Sequence, residues 1–376
     1  IQIMNIPEFE ELPESLDKST LYSILIMNTG FKAFPKNFEK MKNLRSLTVV
    51  NSQLTELPAR LGELPELRDL EISGNTISEF PAALAENLQK VVSLRMNDTK
   101  LTTLPSNIFG MKMMSTFDFR NNPNLNALPE NRGEGVRMGG LLLDNCGFTS
   151  IPKIAKGRLR TLTLANNKIT SVSESELNGL SDELETLVLD GNKINTFPKM
   201  NSESLIELKL DDCGLSAIPD LSALPNLRSL ALAKNNINAI GDGVFSKNPY
   251  ISILDFSDNA GLTSFSANAG IYLKEQEDVI KGVTEKVSKP FYLHCVNVDN
   301  CPSLTWQVPA TWCCIENFKM ENKEDLLLPR RNVIVYNRNS SGVTRAVCPV
   351  DGCKATYELP KDFDEYLESL KKKSDE

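Results

Sequence analysis

The chain has 376 residues, of which 41% are hydrophobic and 24% are charged. This balance is typical of a folded protein and excludes a largely disordered one. The formal net charge of −8 argues against nucleic acid as the main partner, because phosphate binding needs a basic surface. No run of about eighteen apolar residues occurs, so we expect no membrane-spanning segment.

A repeated pattern begins at the N-terminus. Residues 44–58 read LRSLTVVNSQLTELP, and residues 67–81, which start 23 residues later, read LRDLEISGNTISEFP. Both stretches carry apolar residues at positions 1, 4, 6, 11 and 14, followed by proline. Thirteen first positions follow this pattern: Leu21, Leu44, Leu67, Val91, Met114, Met138, Leu159, Leu184, Leu205, Leu227, Ile251, Leu293 and Ile315. Residues 1–13 match the second half of another repeat, so we expect earlier repeats or a cap to precede this chain.

The pattern LxxLxLxxNxLxxLP at this period resembles that of the leucine-rich-repeat family. The resemblance covers residues 1 to about 329. It implies an α/β solenoid, a horseshoe or arc of about 14 coils with a concave parallel β-sheet and an irregular convex side. The spacing is closer to the 23-residue repeats of many animal, protist and bacterial proteins than to plant receptor repeats, which insert GxIP after the asparagine.

Each repeat is expected to form a short strand over positions 3 to 7, with positions 4 and 6 facing inward and positions 3, 5 and 7 facing outward. Position 9 turns the chain away from the strand, and a buried polar side chain is needed there to satisfy unpaired backbone groups. Asparagine fills it six times: Asn75, Asn122, Asn167, Asn192, Asn235 and Asn259. Thr29, Ser52, Thr99, Cys146, Cys213 and Cys301 replace it elsewhere. We predict that Cys146 and Cys213 are buried thiols.

Positions 3, 5 and 7 of the thirteen repeats bring 39 side chains onto the predicted concave face, ten of them acidic, four basic and none aromatic. The acidic excess would attract a basic partner, or it only keeps an exposed sheet in solution. The lack of aromatic residues argues against tight binding. Nine residues form the candidate binding face: Arg95, Asp118, Arg120, Asp144, Asp190, Glu207, Lys209, Asp211 and Asp255.

The repeat is interrupted at residues 267–289, because the first positions Ile251 and Leu293 lie 42 residues apart. Leu273, Val279, Ile280, Val283 and Val287 are spaced as on one helix face. We therefore predict an amphipathic helix leaving the convex side. It is either a tolerated surface insertion or an element that docks a partner.

Six of the eight cysteines follow residue 290. The stretch DNCPSLTWQVPATWCC at 299–314 fits the repeat pattern. Cys301 falls at position 9, where it is another candidate buried thiol. Trp306 and Trp312 are interpreted as convex packing residues. The clustering favours a disulfide-stapled end, and the candidates are Cys295, Cys313, Cys314, Cys348 and Cys353. Zinc is the competing interpretation, although no CxxC occurs. Residues 330–376, where the repeat stops, are interpreted as a C-terminal cap and charged tail.

Residues suited to catalysis are scarce. The one histidine, His294, lies at position 2 of a repeat beside Cys295, and adjacent strand residues point to opposite faces, so they do not form a nucleophile pair. NRGEGVRMGG lacks the GK[ST] ending of a phosphate loop. We therefore predict no enzymatic activity, no cofactor and no metal site. Asn97 in NDT and Asn339 in NSS are candidate N-glycosylation sites.

Three functions fit these observations. The preferred one is a protein- or ligand-binding module in extracellular recognition or adhesion, within a larger protein. It is supported by the resemblance, the cysteine cluster and the two candidate glycosylation sites. A structural subunit of an extracellular or cell-surface assembly is the alternative, in which the partners are other subunits. The third is a cytoplasmic scaffold, which requires all eight cysteines to be reduced.

Overall fold

The computed structural model describes residues 1–14, 20–130, 138–154, 157–266, 269, 272–278, 283–289, 295–298, 300–304 and 334–336. The chain forms two compact units, Ile1–Leu205 (unit 1) and Ile206–Glu376 (unit 2). Each unit is built from the repeats read in the sequence. The predicted α/β solenoid of leucine-rich repeats with parallel strands is confirmed.

Unit 1 contains nine short strands, each paired in parallel with its neighbours in chain order. They are β1 (Gln2–Met4), β2 (Ser23–Met27), β3 (Ser46–Val50), β4 (Asp69–Glu71), β5 (Ser93–Arg95), β6 (Thr116–Asp118), β7 (Gly140–Leu142), β8 (Thr161–Thr163) and β9 (Thr186–Val188). Partners across the sheet occupy the same repeat position, as Thr48 and Glu71 do. Equivalent side chains therefore form rows across the strands.

Unit 2 continues the same construction. Its strands are β10 (Glu207–Lys209), β11 (Ser229–Ala231), β12 (Ala239–Ile240), β13 (Ile253–Asp255), β14 (Ser264–Phe265), β15 (Tyr272–Asp278), β16 (Val283–Lys289), β17 (Cys295–Asn297) and β18 (Ile334–Tyr336). β10, β11, β13, β17 and β18 pair in parallel in that order, and β12 pairs in parallel with β14. β18 adds a parallel strand within the segment interpreted as a cap.

Where the structure describes them, the segments between the strands contain only short helices. Unit 1 has 3-10 turns at Phe38–Lys40, Ala59–Glu63 and Ile108–Gly110, and helices α1 (Ala82–Asn87) and α2 (Glu174–Asn178). Ser173 and Glu176 form a reciprocal capping box at the start of α2, which satisfies amide groups that a short helix leaves without partners.

The core consists of the apolar positions of the repeat. In the repeat that begins at Leu44, Leu47 and Val49 at positions 4 and 6 and Leu54 at position 11 are all at most 1% exposed. Burial of one such side chain contributes about 1.5–3 kcal/mol. Since a single repeat cannot enclose its own apolar face, stability comes from stacking each repeat on the next.

Position 9 has the predicted role. Asn122, which is fully buried, donates to the carbonyls of Met96, Phe119 and Arg120, and its Oδ1 accepts from the Leu101 amide at 3.1 Å. The other five asparagines donate to equivalent carbonyls. One side chain thus links two successive repeats.

The cysteines at position 9 replace part of this network. Cys146 Sγ donates to the Phe119 carbonyl at 3.3 Å, and Cys301 Sγ donates to the Phe256 carbonyl at 3.2 Å. Cys146, Cys213 and Cys301 are buried thiols. The prediction for Cys146 and Cys213, and the thiol alternative for Cys301, are confirmed.

Position 8 has a conformation that the pattern did not reveal. All thirteen residues that the structure describes at this position have positive φ: Asn5, Asn28, Asn51, Gly74, Asp98, Asn121, Asn145, Asn166, Gly191, Asp212, Lys234, Asp258 and Asn300. Asparagine, aspartate and glycine tolerate this left-handed region best. Several of the exposed side chains join across repeats, as Asn28 does to Asn5 at 2.8 Å and Asn51 to Asn28 at 3.1 Å.

The amphipathic helix predicted over 267–289 is wrong. Residues 272–278 and 283–289 instead form β15 and β16, an antiparallel pair with Glu275 opposite Lys286. The apolar spacing suited a helix face. However, Val279, Ile280, Val283 and Val287 are β-branched, which lowers helix propensity and favours strands.

Candidate protein-binding face

The side chains at positions 3, 5 and 7 point outward from the strands, as predicted, and we call them the strand face. In β3, for example, Leu47 and Val49 are buried while Ser46, Thr48 and Val50 are partly exposed. Unit 1 carries five acidic and two basic residues on this face: Asp69, Glu71, Asp118, Asp144, Asp190, Arg95 and Arg120.

Asp118 is the most buried charged group of the strand face, at 2% exposure. Arg120 Nε donates to its Oδ1 at 2.8 Å and Arg120 Nη2 donates to its Oδ2 at 2.7 Å. The Asn97 amide, turned so that its nitrogen faces Asp118, donates to both carboxylate oxygens at 3.1 Å. The hydrogen bond from Arg120 to Asp118 raises the pKa of the guanidinium. The arginine is therefore fixed in place while 42% of its side chain stays exposed.

Asp144 lies beside this cluster at position 7 of the next repeat. Its Oδ1 accepts from the Ala165 amide at 2.7 Å and its Oδ2 accepts from the Thr163 hydroxyl at 2.9 Å. Burial raises the pKa of the carboxyl group, and these hydrogen bonds together with the charge of Arg120 offset only part of that effect. Asp144 is thus an incompletely solvated carboxylate on a partly exposed surface.

Arg95 and Asp190 are the remaining candidates of unit 1. Arg95 Nη1 lies 3.6 Å from Glu71 Oε2, and about half of the Arg95 side chain is exposed. Such an exposed pair contributes between about 0 and 1 kcal/mol. Asp190 is partly exposed at position 7 of the last repeat of the unit. The structure therefore brings Asn97, Asp118, Arg120 and Asp144 together, with Arg95 next to them.

Unit 2 contains the other four candidates, Glu207, Lys209, Asp211 and Asp255. Lys209 Nζ lies 3.2 Å from Glu207 Oε1 within β10. Asp211 Oδ1 accepts from the Ala233 amide at 2.6 Å. Asp255 Oδ1 accepts from the Ser257 amide at 2.9 Å and from its hydroxyl at 2.7 Å.

Several of these carboxylates have a structural task that the sequence reasoning missed. In five repeats the amide at position 7 lies just beyond the strand and donates to a side-chain oxygen instead of to the sheet. For the amides of Asn97, Ala165 and Ala233, the acceptor is a position-7 side chain of the preceding repeat. For the amides of Arg120 and Ser257, the acceptor is a position-5 aspartate of the same repeat. An aspartate at position 5 or position 7 was the sequence signal that could have indicated this task.

Other predicted sites are placed only in part. Asn97 is partly exposed, and Thr99 of its glycosylation triplet is buried and donates to Asn122 Oδ1. Cys295 lies in β17. Asn339, Cys313, Cys314, Cys348 and Cys353 lie outside the described residues, as do Trp306 and Trp312.

Two further properties concern chemistry and membranes. Within the described ranges, no three His, Cys, Asp or Glu side chains are grouped so that they could hold a metal ion. No helix in the described part of the chain is long and apolar enough to cross a bilayer.

Comparison with known proteins identifies the repeat. The family model described as leucine rich repeat matches residues 225–275. Fibromodulin of Sus scrofa is 32% identical over 139 residues, which cover 35% of this chain and 92% of that protein. The chain belongs to the leucine-rich-repeat family.

Other relatives of this leucine-rich-repeat chain match over shorter shares of their length. Keratocan of Mus musculus is 33% identical over 125 residues, covering 32% of this chain and 34% of keratocan. A disease resistance protein of Arabidopsis thaliana is 30% identical over 159 residues, covering 40% of this chain and 12% of that protein. The chain therefore spans only about a third of keratocan and about an eighth of the plant protein.

Solved structures support the fold. A leucine-rich-repeat protein of Leptospira interrogans matches with a TM-score of 0.55 at 22% identity, over 77% of this chain and 78% of that chain. Toll in the Toll–Spatzle complex of Drosophila matches with a TM-score of 0.58 at 18% identity, over 74% and 36%. At these identities the likeness shows the shared fold alone.

Proposed function

We propose that this leucine-rich-repeat chain is a non-enzymatic protein-binding module in extracellular or cell-surface recognition, within a larger protein. Its partner contacts the strand face of unit 1 around Arg120. The observation that carries the proposal is the fixed orientation of Arg120 by the buried carboxylate of Asp118. An arginine held in this way loses less side-chain entropy when it binds, and arginine is enriched among interface hot spots.

The pair is not required by the repeat itself. The residues at position 5 in the three following repeats are Leu142, Thr163 and Val188, so the strand forms equally with apolar or hydroxyl side chains. A buried carboxylate costs desolvation unless it is paired. Asp118 also accepts the Arg120 amide, but that task does not need the exposed guanidinium that Asp118 holds, so the pair as a whole is better explained by a role of the surface.

The charge of the strand face favours a basic partner. The charge of Arg120 is balanced by Asp118, which leaves Asp69, Asp144 and Asp190 in excess over Arg95 and its partner Glu71. Asp144 in particular has lost water without full compensation. A lysine or arginine of the partner would compensate for the lost solvation by its positive charge. The negative face would also accelerate the association of a basic partner.

One structural neighbour supports a protein partner. Toll, whose fold this chain shares, is named in a complex with Spatzle in a glycosylated form. The two candidate glycosylation sites and the cysteine cluster support an extracellular location. Peptide mapping without reduction, with glycan analysis at Asn97 and Asn339, tests the location. Reduced cysteines throughout and unmodified asparagines would favour the cytoplasmic alternative.

The binding proposal is tested by screening the full chain, multimerised on beads, against matched panels of extracellular and intracellular proteins from the same source. We expect partners in the extracellular panel. Affinity for such a partner should fall about tenfold or more in Arg120→Ala and in Asp144→Asn, because each removes a charge-assisted contact.

Arg45→Ala is the matched control, since Arg45 is exposed at position 2 of a unit 1 repeat and is not part of the strand face. It should leave the affinity unchanged. Partners found only in the intracellular panel would contradict the location. Partners whose affinity ignores both strand-face substitutions would contradict the assignment of the face.

The structural-subunit alternative is supported by exposed apolar side chains beside the strand face. Tyr22 and Met113 of unit 1 are at least 50% exposed and lie within three residues of the start of the strands of their repeats. Subunit contacts along this edge would bury them. Cross-linking of the intact source assembly that joins this edge, and not the strand face, to a neighbouring subunit would favour this alternative.

A further inference from the structure

A groove lies in unit 1 where the chain enters β6, β7 and β8, outside the strand face. Its volume is about 380 Å³, and Lys112, Met113, Ser115, Gly139, Arg158 and Arg160 are among its lining residues. We call it the Gly139 groove. It goes beyond the proposed function, because the side chains at positions 3, 5 and 7 do not form it.

The groove exists because of Gly139. This residue occupies position 2, where every other repeat of unit 1 carries a side chain: Tyr22, Arg45, Arg68, Val92, Ser115, Arg160 and Glu185. A Cβ atom on Gly139 would lie 3.0 Å from the Ser115 carbonyl oxygen, so the backbones approach closely at this point. The missing side chain leaves a depression between Met113 on one side and Arg160 on the other.

Met113 gives the groove an apolar wall. Half of this residue is exposed. It precedes the first position of its repeat, and the equivalent residues of unit 1 are all polar: Thr20, Asn43, Glu66, Lys90, Arg137, Arg158, Glu183 and Ser204. Methionine adapts its shape to apolar partners, so its exposure beside a depression marks a contact surface.

The charged lining is predominantly basic. Lys112, Arg158 and Arg160 face one carboxylate of the lining, Glu183. Arg158 Nε lies 3.6 Å from Glu183, and Arg160 Nε lies 3.7 Å from Glu185. Both pairs are long and exposed, and they use the Nε atoms, so the terminal nitrogens remain able to bind a carboxylate in the forked geometry. Lys112 Nζ makes no ion pair with any described residue.

We propose that the Gly139 groove binds an acidic segment of a protein partner. A large apolar side chain of that segment lies over Gly139 against Met113. A carboxylate of the segment binds Arg158 or Arg160, and a second one binds Lys112. The charge is opposite to that of the strand face, so the two surfaces recognise segments of opposite sign. The apolar wall favours a peptide over a nucleic acid or a sulfated polysaccharide, because Met113 can pack against an apolar side chain but offers nothing to a phosphate or sulfate group.

The test uses random dodecapeptides displayed on phage and selected on the full chain. Enriched peptides are synthesised with a fluorescein label and titrated by fluorescence anisotropy. We expect the enriched peptides to combine Asp or Glu with a large apolar residue. Their affinity should fall about tenfold in Arg160→Glu, which reverses a charge, and several-fold in Met113→Ser, which removes the apolar wall.

Unit 2 offers controls at the same repeat positions. Arg228→Glu matches Arg160→Glu at position 2, and Tyr250→Ser matches Met113→Ser at the residue before position 1. Both control residues are exposed, and both variants should bind the peptides as the unchanged chain does. Circular dichroism of all four variants checks that they remain folded.

Three outcomes would overturn the proposal. They are that no enriched peptide binds the chain, that the peptides carry no acidic excess, or that the control substitutions weaken binding as much as those in the groove. A fourth concerns the class of partner. If a DNA oligonucleotide or heparin binds as tightly as the peptides and ignores Met113→Ser, the groove recognises polyanions and not an acidic protein segment.

Discussion

Single side chains hold successive repeats together. Asn122 bonds to three carbonyls and one amide of two repeats from a fully buried position. Its partners are backbone groups that point away from water at the end of the strand. Removing the amide leaves these groups buried without partners, which costs more than the net value of the hydrogen bonds themselves.

Asn122→Ala should therefore lower the free energy of unfolding by about 3 kcal/mol. Urea unfolding followed by circular dichroism measures the loss. Asn126→Ala is the matched control in the same repeat, because Asn126 is exposed, and it should change the stability by less than about 0.5 kcal/mol. Equal losses in both variants would show that Asn122 does not have this role.

Cys146 provides a second test at this scale. Burial raises the pKa of its thiol to about 11, so almost no thiolate is present at about pH 8. Iodoacetamide should leave Cys146 unmodified in the folded chain and label it after unfolding in urea, as read by mass spectrometry. Since the pKa is raised by folding, the thiol's contribution to stability is present below the unfolded pKa and is lost as the pH rises towards 11. Rapid labelling of the folded chain would contradict this.

Position 9 could be predicted at the level of residues, and position 8 could not. The buried asparagine follows from counting backbone groups that lack partners. The left-handed conformation at Asn28, Gly74 or Lys234 leaves a weaker trace, because three residue types serve it and Lys234 departs from them. The carboxylates of Asp144 and Asp211 were read as surface charge, although each also binds an amide of the next repeat.

Strands were more predictable than the segments that join them. Apolar residues at positions 4 and 6 define each strand through its two-residue period. The residues of 267–289 fit a helical period but are rich in β-branched side chains, and the structure follows that second property in β15 and β16. The Gly139 groove was missed because it results from the missing side chain of a glycine. The repeat pattern does not specify which residue occupies position 2.

The β15–β16 hairpin should contribute little to the stability of the chain. Its two strands pair with each other and not with the parallel sheet, and an isolated two-stranded hairpin is only marginally stable. Replacing residues 272–289 by a short Gly-Ser linker should change the free energy of unfolding by less than about 1 kcal/mol. Urea unfolding measures this, and a loss of several kcal/mol would mean that the hairpin packs on the repeats.

At the scale of the molecule, the chain divides into the units Ile1–Leu205 and Ile206–Glu376. The sequence predicted one solenoid over 1–329 and gave no reason for a division at 205, since the repeat pattern passes through it unchanged. Stability in a stack of repeats is a sum of local terms. A division between units therefore depends on contacts that no single repeat displays.

Local stability predicts local loosening. Asn122→Ala in unit 1 and Asn259→Ala in unit 2 each remove a buried amide. Hydrogen exchange measured by mass spectrometry should rise in the repeats around each substitution, within the same unit. A uniform rise over the whole chain would instead show that the repeats unfold as one cooperative body.

The left-handed residue of each repeat has a consequence for how this sequence can change. Asparagine, aspartate or glycine fills twelve of the thirteen described sites from Asn5 to Asn300, and a β-branched residue at any of them costs about 1–2 kcal/mol. A deep mutational scan should therefore show intolerance recurring roughly every 23 residues on an otherwise permissive surface. Lys234 should be the exception, because Asn or Gly at this position should raise the stability of the protein. Sequences of the family should show the same periodic restriction at this position even where the leucines have diverged.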